Sequence, residues 1–122
     1  MTKHQVTLIY DATQQRRFTP NPDPITVNDG DTIVFTGDVT GAITSGTAPG
    51  DTTFKVTMDQ DLFKPSEVDF APKTQSSSIT VQNNALKKST IYHCELRNIG
   101  GVLLDETKTT GQQGGGTQPG KK

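Results

Sequence analysis

Apolar and polar residues alternate with a period of two through most of this chain, and that period predicts strands rather than helices. Along residues 6–10, Val6, Leu8 and Tyr10 share one face, while Thr7 and Ile9, continuing from Gln5, take the other. Residues 25–27 and 32–35 read as two strands joined by Asn28-Asp29-Gly30-Asp31. That is a strong turn, because Asn and Asp close on their own backbone and Gly accepts positive φ. This pair is the clearest hairpin signal in the chain. Residues 52–58 set Phe54, Val56 and Met58 on one face, and 77–81, 89–95 and 102–107 supply further strands, with a turn at Asn83-Asn84. Residues 36–51, mostly Gly, Thr, Ser and Asp, predict an irregular connection with a short weak strand near 41–44. Pro20, Pro22 and Pro24 exclude a central ladder strand over 18–24. Pro65 and Pro72 leave room for no more than one helical turn in 61–70.

About seven short strands and no long helix predict an all-β fold, in which two antiparallel sheets cover each other's apolar face as a sandwich. The chain has 122 residues, which suits one domain, expected over residues 5–108. Residues 109–122 are rich in Gly and Gln and carry nothing apolar to repay ordering, so a flexible tail is expected there.

Composition narrows the function classes. Twelve Lys and Arg against thirteen Asp and Glu leave a formal charge of -1, without the clustered positives of a nucleic-acid surface. Arg16-Arg17 and Lys87-Lys88 are read as charges that keep strand edges from pairing further, and Asp59 and Asp61 as solvated loop carboxylates. No run approaches the roughly 20 apolar residues of a spanning helix, so no membrane insertion is expected. Residues 1–6 lack the apolar core of a secretory signal. As written the chain reads as cytoplasmic, or as periplasmic or extracellular if Met1 stands where a leader was removed. One cysteine, Cys94, forms no intrachain disulfide and leaves the compartment open.

Three passages resemble the cupredoxin family of blue-copper proteins, of the plastocyanin type. Phe18-Thr19-Pro20 through Ile25-Thr26-Val27 to Gly30-Asp31-Thr32-Ile33-Val34-Phe35 is similar to the family's early strand, proline-containing bend and "G-D-T-V-x-F" hairpin. Tyr92-x-Cys94 resembles its aromatic-x-cysteine strand end, and Gly100-Gly101-Val102 its glycine-containing return to the last strand. The likeness spans residues 6–107 and implies a cupredoxin-like Greek-key sandwich. It also implies where copper ligands would fall: the thiolate on Cys94, the loop histidine on Arg97, the axial methionine on Val102 and the upstream histidine near Ala42 or Ile43. A guanidinium has no lone pair to give and a valine or alanine has no donor, so one ligand of four remains. The resemblance thus implies the framework with vestigial copper positions and no cofactor.

Of the remaining candidate chemistry, His93 neighbours Cys94, but adjacent strand residues face opposite ways and do not chelate one ion together. His93 is read as a surface or structural residue, with a metal or proton-transfer role as the alternative, and His4 has the weaker claim of a fraying N-terminus. Cys94 is read as a small buried hydrophobe, with redox or nucleophilic chemistry as the alternative if Arg97 approaches its sulfur. Serine, histidine and acid do not assemble into a recognisable catalytic set, so no enzyme is expected. What remains is a non-enzymatic module with a protein-binding or structural role, its surface formed where 37–50, 63–70 and 95–101 meet. Phe63, Leu96, Arg97 and Ile99 are the binding-surface candidates, for a protein partner or for self-association. The alternatives are an electron-transfer cupredoxin with an atypical copper site at Cys94, and a β-sandwich with no assignable activity.

Overall fold

A computed structural model of the chain describes residues 2–13, 17–21, 25–40, 49–82, 90–107 and 116–119. They form strands β1 (Lys3–Asp11), β2 (Phe18–Asn21), β3 (Ile25–Val27), β4 (Thr32–Thr40), β5 (Thr52–Thr57), β6 (Phe63–Lys64), β7 (Glu67–Phe70), β8 (Ile79–Val81), β9 (Thr90–Ile91), β10 (His93–Asn98), β11 (Leu103–Glu106) and β12 (Gly116–Pro119). Among the described residues the helical content is a 3-10 turn at Pro49–Asp51, so the fold is all-β. One sheet runs β2-β1-β4-β8-β6, a second β11-β10-β5-β7, and a small third β3-β12-β9.

The alternation seen in the sequence decides which face each strand buries. Val6, Leu8 and Tyr10 of β1 point inward, as do Phe54 and Val56 of β5 with Met58 just beyond it. Phe35 on β4 and Phe54 and Phe70 on the second sheet meet between the layers. The Phe70 ring stacks nearly parallel with both others, at centroid distances of 6.0 Å to Phe35 and 5.3 Å to Phe54, and Tyr92 meets Phe35 edge-on at 5.3 Å. Rings in such arrangements gain about 0.5–1.5 kcal/mol per pair beyond the area they bury. The stack fits because residue 37 lacks a side chain. A Cβ on Gly37 would stand 2.4 Å from Cδ2 of Phe54 and 3.1 Å from Cε2 of Phe70.

Several expectations are corrected. The turn at Asn28-Asp29-Gly30-Asp31 exists, with the Asp31 amide donating to Asn28 O at 3.0 Å and Gly30 at φ 86°. It does not close a hairpin: β3 pairs with β12, while β4 lies between β1 and β8. Turn chemistry fixes a reversal locally, but which strands then pair is decided by distant partners. Within residues 61–70, Phe63–Lys64 and Glu67–Phe70 form β6 and β7, and a single helix-like turn, in which the Asp59 carbonyl accepts from the amides of Leu62 and Phe63, precedes them. The expected strand count of seven falls short because β2, β6, β7 and β12 lie in segments read as proline-broken, turn-like or tail, and because 89–95 divides into β9 and β10. Pro20 behaves as expected, since β2 lies at a sheet edge, and Pro22 and Pro24 lie outside the described residues. Gly116–Pro119, within the segment expected as a tail, pairs with β3 and β9, and the rest of 109–122 lies outside the described residues, as do Asn83 and Asn84.

β1 does not fray. Its first residues pair in parallel with β4, and Asp31 fastens them: Oδ1 accepts from the Thr2 amide at 2.9 Å, and Oδ2 lies 3.0 Å from the Asn28 amide and 2.9 Å from His4 Nε2. Burial pushes the Asp31 carboxyl up, but the hydrogen bonds from His4, Thr2 and Asn28 outweigh it and hold the group below its ordinary 3.8.

Two predictions follow from these contacts. Gly37→Ala forces the Phe54 ring out of its place and should cost about 1–3 kcal/mol, read as a lower urea midpoint with an unchanged slope. Because the Asp31 pKa is depressed on folding, its stabilisation is fully present above the ordinary carboxylate value and is lost as pH falls below it. Asp31→Asn should therefore remove about 2–4 kcal/mol at neutral pH and leave a shallower acid limb in the unfolding free energy measured against pH. An acid limb unchanged by the substitution would refute this.

Candidate functional site

The β10–β11 hairpin carries the chain's clearest concentration of chemistry. Residues 93–97 alternate between half-buried and buried, and β10 runs past Cys94 for four more residues, in continuous register with β5 on one side and with a register shift against β11 between Leu96 and Arg97 on the other. Its reversal comes only at Ile99-Gly100-Gly101-Val102. There the Asn98 amide donates to Val102 O, and Asn98 Oδ1 accepts from the Val102 amide, each at 2.9 Å. Gly101 sits at φ 89°, a conformation that favours glycine.

Alternation then sorts β10 into two faces. Cys94 and Leu96 point into the core and are fully buried, whereas His93, Glu95 and Arg97 point outward. This corrects the copper-loop geometry. Cys94 is in mid-strand, Arg97 lies on the opposite face, and Val102 is at the exposed turn. Four residues of strand separate Cys94 from Asn98, the residue bonded to Val102, which puts the two positions roughly 13 Å apart along the sheet. The Arg97 guanidinium instead grips Glu95 Oε1 through Nε at 2.8 Å and Nη2 at 2.7 Å, and donates from Nη1 to Gly101 O at 2.9 Å. It therefore does not act on the Cys94 sulfur. Ala42 and Ile43 lie outside the described residues.

The binding-surface candidates divide in the same way. Phe63 and Leu96 are core residues, so neither lines a surface: an inward strand position buried both. Ile99 is 74% exposed, and Val102 at 60% and Leu103 at 39% join it, all three on or beside the turn. Val102 and Leu103 are not among the binding-surface candidates of the sequence, where they open the last strand.

On the outward face three groups converge that the sequence did not bring together. His93 Nε2 lies 3.5 Å from Glu95 Oε2 and 3.1 Å from Glu106 Oε1. Glu95 and Glu106 are register partners across the hairpin, and His93 is two positions from Glu95 on the same face. The signal was present as His-x-Glu before a Gly-Gly turn, but only the register placed Glu106 opposite. Thr107 closes the arrangement from inside: its Oγ1 accepts from the Cys94 amide at 3.0 Å and lies 3.1 Å from His93 Nδ1.

A second cluster fastens β11 to the other sheet. Asp105 accepts from the Tyr10 hydroxyl at 2.8 Å and from Arg17 through both Nε and Nη2. Burial raises the Asp105 carboxyl, yet the bonds from Arg17 and Tyr10 prevail and hold it below its ordinary value. Burial and the bond to Asp105 together push the Tyr10 phenol up. Arg17 is thus a bridging residue and not a soluble edge charge. His4, on β1 beside Asp31, belongs to a different sheet from His93.

The burial of Cys94 predicts an inert thiol. An aromatic disulfide reagent should label it only after unfolding in urea, and one equivalent of Cu2+ on the folded protein should give no intense thiolate-to-copper absorption band. Rapid labelling of the native state, or that band, would show that the sulfur is reachable.

No family model matches the chain, and no curated protein matches it. Among solved structures, the N-terminal domain of phage TP901-1 ORF48 is similar to it with a TM-score of 0.40 and 17% identity, over 99% of this chain and 100% of that one.

Proposed function

We propose that the chain is a non-enzymatic β-sandwich module of cupredoxin-like, Greek-key type that has no blue-copper site and works by protein contact. The return of β4 to lie beside β1, with β2 on the other side of β1, supports the Greek-key connection, with the difference that β4 runs parallel to β1. Parallel neighbours need a crossover connection, here through β2 and β3, which a simple meander lacks. The four ligand positions implied by the family resemblance supply no convergent donor set where they are described. That favours a contact role over electron transfer.

The observation that carries the contact role is the run of exposed apolar residues at one end of the second sheet. Ile99, Val102 and Leu103 are the large exposed hydrophobics among the described residues, and they sit together where the turn meets β11, the edge strand. An edge strand offers backbone donors and acceptors to another strand, and an apolar turn beside it adds area that water disfavours. The same surface on a second copy is the simplest complement, and its small size predicts a weak dimer.

Sedimentation velocity across a concentration series should show a reversible dimer, and Ile99→Ser combined with Val102→Ser should shift it to monomer without lowering the melting temperature. A wild-type chain that stays monomeric at the highest concentration, or a dimer indifferent to these substitutions, would overturn this surface.

A further inference from the structure

We infer that His93, Glu95 and Glu106 form a binding site for a divalent transition cation of the zinc type on the outward face of the β10–β11 hairpin. The inference goes beyond the contact role and does not depend on it. Two observations carry it: the spacing of the donor atoms, and the contacts that hold His93 and Glu95 from behind.

The spacing is that of metal ligands. One donor atom from each residue lies within 4.8 Å of the other two, and the distances from His93 Nε2 to the carboxylate oxygens are 3.5 and 3.1 Å. Ligands bound about 2.0–2.1 Å from a tetrahedral zinc stand roughly 3.3 Å apart, between those two values. An ion at the centre therefore needs little movement of the side chains.

Thr107 holds the imidazole from the far side. Its hydroxyl oxygen accepts from the Cys94 amide at 3.0 Å and lies 3.1 Å from His93 Nδ1, which leaves Nε2 on the side of the two carboxylates. A ligating histidine is ordinarily oriented in this way, by a hydrogen bond at its other ring nitrogen. Glu95 and Glu106 face each other across the strands, where like charges repel, and a cation between them relieves that repulsion.

Glu95 is braced as well, since Arg97 holds Oε1 through two N–H groups and leaves Oε2 for the shared centre. The inner face of β10 is packed into the core, so the backbone that spaces His93 and Glu95 is rigid. One imidazole and two carboxylates suit zinc and its neighbours, with water in the remaining position. Calcium takes six to eight oxygens and magnesium an oxygen octahedron, and this site offers neither.

The test is calorimetric titration of the full chain with Zn2+ in a non-chelating buffer, together with histidine ring nitrogen NMR. One saturable equivalent is expected, with a raised melting temperature and with His93 Nε2 shifting on binding while His4 does not. His93→Gln and Glu106→Gln should each weaken binding by at least about tenfold. Both side chains are partly exposed, so the metal-free melting temperature checks that each variant still folds. Mg2+ in excess should not displace Zn2+. Absence of a saturable equivalent would mean that His93 is only an ion-pair partner of the two glutamates and would overturn the site. So would binding that persists in His93→Gln or yields to Mg2+. Repeating the titration on the Ile99→Ser, Val102→Ser protein separates the two readings, since a lost dimer should leave Zn2+ binding intact.

Discussion

The aromatic stack over Gly37 is the constraint on which the rest of the structure hangs. Phe35 belongs to one sheet and Phe54 and Phe70 to the other, so the joint between the layers is a set of rings lying face to face. It closes only because the backbone at residue 37 presents no Cβ to Phe54. A sandwich of short strands has few large side chains with which to lock its layers, and four of the largest fully buried residues here are phenylalanines. Fixing β5 in this way fixes β10, which pairs with it over six positions, and β10 in turn carries β11.

That chain of pairing explains how a polar cluster can be precise on an outward face. Cys94 and Leu96 anchor the inner side of β10, and the pleat then dictates where His93, Glu95 and Arg97 point. Thr107 links the sides, because one hydroxyl meets both the backbone of the buried cysteine and the ring of the outward histidine. Asp105 performs a comparable service at the open margin, where Tyr10 and Arg17 reach across from the first sheet to hold β11. Hydrogen bonds to a charged group are stronger than neutral ones, so the hairpin is held by chemistry as well as by packing.

The family resemblance treated residues 94–102 as a loop folding back on itself, and the pairing of β10 makes them a strand followed by a short turn. Spacing in sequence places two side chains together only when the backbone between them bends. Along a straight strand the same spacing separates them. His93 shows the converse, because the rule that set it apart from Cys94 also set it beside Glu95.

The sequence alone determined the all-β class, the buried faces of β1 and β5, the exclusion of the proline-bearing segment from the middle of a sheet and the reversal at Gly30. Each follows from local physics: a two-residue period, a missing amide proton or a backbone angle that favours glycine. Tertiary structure decided the partners. It paired β4 with β1 instead of β3, gave Gly116–Pro119 two neighbours, set Arg17 against Asp105 and brought Glu106 opposite Glu95. Those outcomes depend on register and on contacts tens of residues apart, and local alternation carries no information about which strand will lie alongside.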